Sequence, residues 1–166
     1  MGIFENLFKR KKLKTIDKDF GEIESFSTNG NRIGWLINRE FLSSNIEILI
    51  EGNINGINED QKKILLNALE NETEIKFESE IALKEQFENA ELEFVSIEKH
   101  FDLKAITVRD EGFEMVFKEK DKNYYFNVHF ENNKQVGVSI DGRQKSTTAN
   151  SRLAKWLVYF FLAGNY

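Results

Sequence analysis

The first third of the chain alternates apolar with polar residues, and a period of two is typical of β-strands with one buried face. The alternating apolar residues are Ile33, Trp35 and Ile37 in one run, and Ile46, Ile48 and Ile50 in the next. A less regular strand is predicted over 20–26, and Asn29-Gly30 has the composition of a hairpin turn after it. This region therefore predicts paired β-strands.

The middle of the chain changes to a helical period. Asn58 has the side chain of a helix N-cap, and the acids Glu59 and Asp60 suit the first turn of a helix. The predicted buried stripe of this helix is Ile64, Leu65, Ala68 and Leu69. A second helix is predicted over 73–89, and its predicted inward residues include Ile75, Ile81, Ala82 and Phe87.

Strand-like alternation returns after the helices. The residues that carry it are Val95 and Ile97, the extended stretch 103–108, then Phe113, Met115 and Phe117, then Tyr124, Phe126, Val128 and Phe130, then Val136, Val138 and Ile140. The short polar separators between these runs are typical of hairpin loops, so sequential strands should form an antiparallel meander. We expect an α+β fold: an antiparallel sheet of β-hairpins, two central helices and a four-strand meander, with the helices packed on one face.

The chain of 166 residues fits one domain, which we place at 15–145 between two terminal segments. The N-terminal segment, 1–14, has apolar residues at helical spacing followed by a lysine-rich run, and it is predicted to be amphipathic and basic. It could contact an anionic membrane surface through Phe4, Leu7, Phe8, Lys11 and Lys12. The alternatives are a basic tail or a helix docked on the domain.

The C-terminal segment, 146–166, is strongly apolar. Its large apolar side chains include Leu153, Trp156, Leu157, Phe160 and Phe161. The apolar run is about half of the ~20 residues that a transmembrane helix needs. We therefore expect residues 151–163 to pack on the sheet or across a homodimer interface, with Trp156 largely buried.

Composition limits the chemistry and the partners. The chain has no Cys, which excludes disulfides, thiolate catalysis and cysteine–zinc sites, and its N-terminus lacks the order of a secretory signal, so a cytoplasmic location is expected. The net charge is −5, yet residues 51–98 contain thirteen acidic and four basic residues. This segment would repel a phosphate backbone, so no nucleic-acid partner is expected. It could bind a basic protein surface through Glu70, Glu72, Glu74 and Glu78, or it could simply be a solvated helix face.

Sequence motifs for catalysis or metal binding are weak. The segment from Glu51 to Glu59 imitates a calcium loop, but Lys62 stands where a bidentate Glu is required, so a strand-to-helix turn is expected. His129 falls on the polar face of its strand and His100 in a loop, and nothing in the sequence brings them together. The glycine and serine patterns of nucleotide sites and hydrolases are missing as well. No catalytic residue, metal or cofactor is therefore assigned.

Several short motifs, spread over about 15–142, resemble a family of uncharacterised bacterial proteins. They are Asp17-Lys18-Asp19-Phe20-Gly21-Glu22-Ile23, Trp35, the run Ile46 to Glu51, Asn58-Glu59-Asp60-Gln61, and Gly137-Val138-Ser139-Ile140-Asp141-Gly142. The resemblance implies a Phe-Gly strand start, a Trp-containing strand, a helix opened by acids and Gln, and a meander closing near Asp-Gly. It supplies no catalytic residues.

Three functional hypotheses follow from these observations. The first is a non-catalytic protein-binding module that uses an acidic surface in 51–98, comparable in type to the small acidic immunity proteins of bacterial toxin systems. The second is a membrane-peripheral protein held by residues 1–14. The third is an enzyme whose site has no recognisable motif.

Overall fold

The computed structural model of the protein describes residues 12–142, and these residues form a mixed α/β fold in which a large, mostly antiparallel sheet dominates. Its nine strands are β1 Lys14–Asp17, β2 Gly21–Asn29, β3 Arg32–Phe41, β4 Ser44–Asn53, β5 Gly56–Ile57, β6 Phe101–Val108, β7 Phe113–Glu119, β8 Tyr124–Glu131 and β9 Lys134–Gly142. Its three helices are α1 Glu59–Glu70, α2 Glu72–Asn89 and α3 Ile97–His100. Because the sheet is so large, the α+β class describes the fold only loosely.

The strand order within the described residues is β1-β2-β3-β4-β6-β7-β8-β9, with β5 paired to β4. Every neighbouring pair is antiparallel except β4 and β6, which are parallel. A parallel pair needs a long crossover connection, and here the crossover contains α1 and α2. The predicted meander of four strands is confirmed as β6 to β9, whereas the parallel junction that joins it to the first strands was not predicted.

The local signals at the helix and turn boundaries are confirmed. Asn29-Gly30 lies at the turn between β2 and β3, where Gly30 has a φ of +58°. The Oδ1 atom of Asn58 accepts hydrogen bonds from the backbone N–H groups of Asp60 at 2.9 Å and Gln61 at 3.2 Å. These two bonds satisfy N–H groups that have no partner inside the helix, which fixes the start of α1.

The predicted inward direction of Ile81 is wrong. The buried side of α2 carries Ile75, Ser79, Ala82, Leu83 and Phe87. Ile81 is 51% exposed. Two residues correspond to about 200° of rotation in an α-helix, so a side chain two positions after the buried Ser79 points away from the sheet.

The predicted strand at Val95 and Ile97 is also wrong. Ile97 begins the short helix α3, and the hydroxyl of Ser96 accepts a hydrogen bond from the backbone N–H of Lys99 at 3.2 Å. This cap competes locally with an extended backbone. As a result, Ile97 is buried and Val95 is exposed, although an alternating strand would have placed both on one face.

The hydrophobic core lies between the helices and one face of the sheet, which we call the first face. Ile48, Ile106, Met115 and Val128 of the sheet belong to one buried cluster with Leu65 of α1 and with Ile75, Leu83 and Phe87 of α2. The Phe87 ring lies 6.2 Å from that of Phe126 and 5.6 Å from that of Phe101, between centroids. The helices therefore cover the first face, as the sequence predicted.

The opposite face, which we call the second face, follows from the strand register. One row across it contains Leu49, Thr107, Glu114 and His129, and the next row contains Ala105, Val116, Asn127 and Ser139. Leu49, Ala105 and Val116 are buried, yet none of them belongs to the cluster under the helices. The sheet therefore has apolar residues buried on both faces.

Most residues of the two predicted terminal segments lie outside the described residues. This applies to Phe4, Leu7, Phe8 and Lys11, and to the whole element 146–166 with Trp156. Lys12 is described, and its Nζ atom lies 2.5 Å from Glu24 Oε1. Leu13 exchanges hydrogen bonds with Ser25, so residues 12–14 follow strand β2. Within 12–142, every helix is too short or too polar to cross a membrane.

Candidate functional site

The outer side of α2, which points away from the sheet, carries two large exposed apolar side chains. Phe77 is 61% exposed and Ile81 is 51% exposed, and they lie one helical turn apart. Residues four apart are neighbours on a helix surface, so the two side chains form one apolar spot. Single exposed apolar residues are common, and this adjacent pair is a candidate contact site.

Acidic residues lie beside this apolar spot. Glu70, Asn71, Thr73, Glu74 and Phe77 line a shallow depression where α1 meets α2. We call the surface formed by Glu70, Thr73, Glu74, Phe77 and Ile81 the α2 outer face. It combines an apolar centre with a carboxylate rim.

The structure separates the four predicted partner-binding acids into different environments. Glu70 and Glu74 lie on the α2 outer face. Glu72 instead accepts a hydrogen bond from the backbone N–H of Leu42 at 2.6 Å, next to the turn between β3 and β4. Lys134 Nζ lies 2.5 Å from Glu74 and 3.6 Å from Glu78, and its hydrogen bond with Glu74 raises the pKa of Lys134. The basic side chain thus offsets part of the acidic charge on this side of the helix.

Phe77 is the residue of this site that the sequence analysis missed. It lies two positions after the buried Ile75 and two before the buried Ser79, so helical spacing places it opposite the buried stripe. The signal was therefore present in the sequence: an aromatic residue at a position that the period assigns to solvent.

A second polar cluster lies on the second face around Glu114, whose side chain is 1% exposed. Its Oε2 atom lies 3.2 Å from His129 Nδ1 and 3.8 Å from Arg109 Nη2. Within residues 12–142, neither carboxylate oxygen of Glu114 accepts a hydrogen bond, and neither does Asn127 Oδ1. Burial raises the pKa of Glu114 against the opposing effect of Arg109.

His129 connects this cluster to the edge of the sheet. Its Nε2 atom lies 3.1 Å from Ser139 Oγ, and burial followed by the charge of Arg109 lowers its pKa. Ser139, His129 and Glu114 are thus connected in the same order as the nucleophile, base and acid of a catalytic triad. However, the contact between Glu114 and His129 is not a hydrogen bond, and burial raises the pKa of Glu114 while it lowers the pKa of His129, so burial disfavours the charged forms of both groups. We therefore assign no catalytic role to these residues.

The other residues that the sequence singled out as possible metal ligands or loop positions make contacts within the fold. His100 Nε2 accepts a hydrogen bond from the backbone N–H of Val95 at 3.1 Å, and its ring packs on those of Phe87 and Phe94, on the α2 side of the sheet, whereas His129 lies on the second face. Lys62 turns inward to Asp17 and Asp19. In the described part of the chain, no group of three His, Asp or Glu side chains is arranged to hold a metal ion.

Comparison with family models, curated proteins and solved structures found no match to the chain.

Proposed function

We propose that the protein is a non-catalytic protein-binding module whose α2 outer face binds a basic partner protein. The observation that carries the proposal is the exposure of Phe77, at 61%, beside Ile81 and at one depression with Glu70 and Glu74. An exposed aromatic residue with a charged rim has the composition of a small recognition site.

The two parts of the α2 outer face contribute differently to binding. Burying Phe77 and Ile81 in a partner would stabilise the complex by about 1.5–3 kcal/mol for each side chain, before ordering costs. The carboxylates of Glu70 and Glu74 would mainly select a partner of positive charge and speed its association. The apolar pair therefore supplies affinity, and the acidic rim supplies specificity.

The expected partner is a protein with a basic surface that contains an apolar pocket. Residues 51–98 contain thirteen acidic and four basic residues, so the field around the helices is negative. Small acidic proteins also occur as the immunity proteins of bacterial toxin systems, and this protein is similar to them in type. The proposal places this protein in the same functional class, without naming a toxin.

The proposal is tested by purifying the tagged full-length protein from its native host and measuring the affinity for each co-purified protein. The variant Phe77→Ser should weaken specific binding roughly 30-fold or more, the loss that corresponds to about 2 kcal/mol at a central aromatic contact. The matched control is Ile54→Ser, because Ile54 is 66% exposed but lies in the turn between β4 and β5. Glu70→Gln and Glu74→Gln should reduce the dependence of affinity on salt.

Two outcomes would contradict the proposal. One is a partner that binds Phe77→Ser as tightly as the parent protein, and the other is an affinity that salt and the two Glu→Gln changes leave unchanged. Capture of a partner alone would support nothing, because exposed apolar residues also bind proteins non-specifically.

A second candidate function is peripheral membrane binding, which rests on Phe4, Leu7 and Phe8 beside the lysine cluster. Flotation of the full-length protein with vesicles that contain an anionic lipid tests it, with vesicles of neutral lipid as the control. Binding should be lost when Phe4 and Phe8 are both replaced by Ser. Protein that remains at the bottom of the gradient with anionic vesicles would exclude this function.

A further inference from the structure

The second face of the sheet contains buried groups of two kinds. Ala105 and Val116 are apolar register partners, and the apolar Leu49 lies diagonally from Ala105 across the β4–β6 pair. Glu114 and Asn127 lie beside them on β7 and β8, and both are almost completely buried. None of the three apolar residues packs in the cluster beneath α1 and α2. A cover for this face must therefore be both apolar and able to donate hydrogen bonds.

The polar part of the face presents acceptors without matching donors. Both carboxylate oxygens of Glu114 and Oδ1 of Asn127 lack a hydrogen-bond donor within residues 12–142. Asp141 adds a further carboxylate, which accepts a hydrogen bond from Asn127 Nδ2 at 2.9 Å. Buried acceptors of this kind destabilise a fold unless a donor reaches them. A guanidinium, with five N–H donors and a positive charge, fits such a group of acceptors.

The chain itself continues from this face. Ser139 and Asp141 of β9 lie on the second face, and β9 ends at Gly142, after which 143–166 follow. Two strand spacings separate β9 from β7, which is about 10 Å. Ten extended residues span up to about 33 Å, so Arg152 can reach Glu114 from Gly142.

Residues 143–166 contain both a hydrogen-bond donor with positive charge and large apolar side chains, which are the two kinds of group that would suit the second face. Arg152 supplies a guanidinium, and the large apolar residues begin directly after it with Leu153 and Trp156. A docked segment would thus bring its cation to Glu114 and its apolar side chains to Leu49 and Val116.

We propose that residues 143–166 dock on the second face of the sheet, where Arg152 binds Glu114 and Asn127 and the apolar residues of 151–163 cover Leu49, Ala105 and Val116. The proposal is independent of the proposed function, which concerns the opposite side of the molecule.

Photo-crosslinking in the full-length protein tests the location. A photoreactive amino acid at Ser139, which is exposed at the margin of the second face, should crosslink to residues 151–163 of the same chain, as determined by mass spectrometry. The same probe at Phe77, on the other side of the sheet, should give no crosslink to this segment. Crosslinks from Ser139 between two chains would show that a second copy covers the face and would overturn the proposal. The lack of any crosslink from Ser139 to 151–163 would overturn it as well.

A double-mutant cycle tests the assignment of Arg152. Arg152→Gln should lower the midpoint of urea unfolding in the parent protein and have no further effect when Glu114→Gln is already present. Lys155→Gln, which removes a neighbouring positive charge, should have the same effect in both backgrounds. Equal effects of Arg152→Gln in the two backgrounds would show that Arg152 does not bind Glu114.

Discussion

Lys62 is buried at the junction between α1 and the β1–β2 turn, with 2% of its surface exposed. Its Nζ atom lies 2.8 and 2.7 Å from the two carboxylate oxygens of Asp17 and 2.7 Å from Asp19. The same nitrogen lies 5.6 Å from the centre of the Phe20 ring. A buried charge is tolerated when its partners satisfy it, so this cluster fixes the short edge strand β1 to the first helix.

We predict that Lys62→Met lowers the free energy of unfolding by about 3 kcal/mol, because removing one partner of a buried ion pair leaves the other charge uncompensated. Urea denaturation measures this loss. The matched control is Lys63→Met, because Lys63 pairs with Asp60 on the surface, where solvent screens the charges and such a pair contributes little to stability. Equal losses in the two variants would show that the Asp17–Lys62 pair contributes no more than a surface pair.

The same pair predicts a pH dependence. Burial raises the pKa of Asp17, but hydrogen bonds from Lys62 and from the N–H groups of Asp19 and Phe20 outweigh this effect, so the pKa of Asp17 is lowered from its ordinary value. A carboxyl group with a lowered pKa stabilises the fold above its unfolded pKa, and the stabilisation is lost as pH falls through the folded pKa. Asp17→Asn should therefore be less stable than the parent at neutral pH.

The difference between the parent and Asp17→Asn should remain constant down to about pH 4 and close at lower pH. Urea unfolding of both proteins at a series of pH values measures it. A difference that is the same at about pH 2 as at neutral pH would contradict the assignment to Asp17 ionisation.

At the scale of elements, Gly112 permits the close approach of the β6–β7 loop to strand β8. Its carbonyl oxygen accepts a hydrogen bond from the N–H of Arg109 at 2.8 Å. A Cβ atom at position 112 would lie 1.8 Å from the carbonyl oxygen of Phe130. Because this neighbour is backbone and not a flexible side chain, the loop could accept a side chain only by moving away from β8.

Gly112→Ala should therefore destabilise the protein by about 1–3 kcal/mol, the usual cost of overpacking. Gly137→Ala is the control on β9, since a Cβ atom there would lie 3.9 Å from the His129 ring, an ordinary contact. We expect its effect to stay within about 0.5 kcal/mol. Thermal or urea unfolding distinguishes the two variants, and a harmless Gly112→Ala would mean that the loop adjusts freely.

At the scale of the whole molecule, two antiparallel parts of the sheet are joined by the parallel pair β4 and β6. Ile48 and Ile106 are register partners at this junction, and both are completely buried. One hydrophobic cluster extends from Ile33 in the first part to Phe130 in the second. Because the core is continuous, the described residues should unfold as one cooperative unit.

Ile106→Ala should destabilise the protein by about 2–5 kcal/mol through the cavity that it leaves. In a cooperative unit, the protection of backbone amides from hydrogen exchange should fall by the same amount in β3 and in β7. Ile16→Ala, at an exposed position in β1, should change neither. A loss of protection confined to β6–β9 would show that the two parts of the sheet unfold separately.

Sequence reasoning worked where a local pattern decides the structure. The alternation of Ile33, Trp35 and Ile37 determines an extended backbone and the face on which these side chains are buried. The side-chain cap at Asn58 determines where α1 begins. Both features were predicted. The prediction for Val95 was wrong because the side-chain cap at Ser96 starts a helix where apolar alternation predicted a strand. The prediction for Ile81 was wrong because the buried residues of α2 lie on the opposite side of the helix.

The surroundings of the individual acidic residues depended on contacts between residues distant in sequence. Glu72 and Glu74 are equivalent in a charge pattern, yet one binds the N–H of Leu42 and the other binds Lys134. Glu114 is one acid among many in the sequence, and only the register of β7 and β8 buries it next to Asn127.

The sequence by itself determined the strands of the meander, the two long helices, the face of the sheet that they cover, and the negative charge of 51–98, because these depend on periodicity and composition. The tertiary structure alone decided the parallel pairing of β4 with β6, the inward ion pair of Lys62, and the burial of Glu114 near Asn127. These features depend on which distant segments pack together, and local spacing carries no information about that choice.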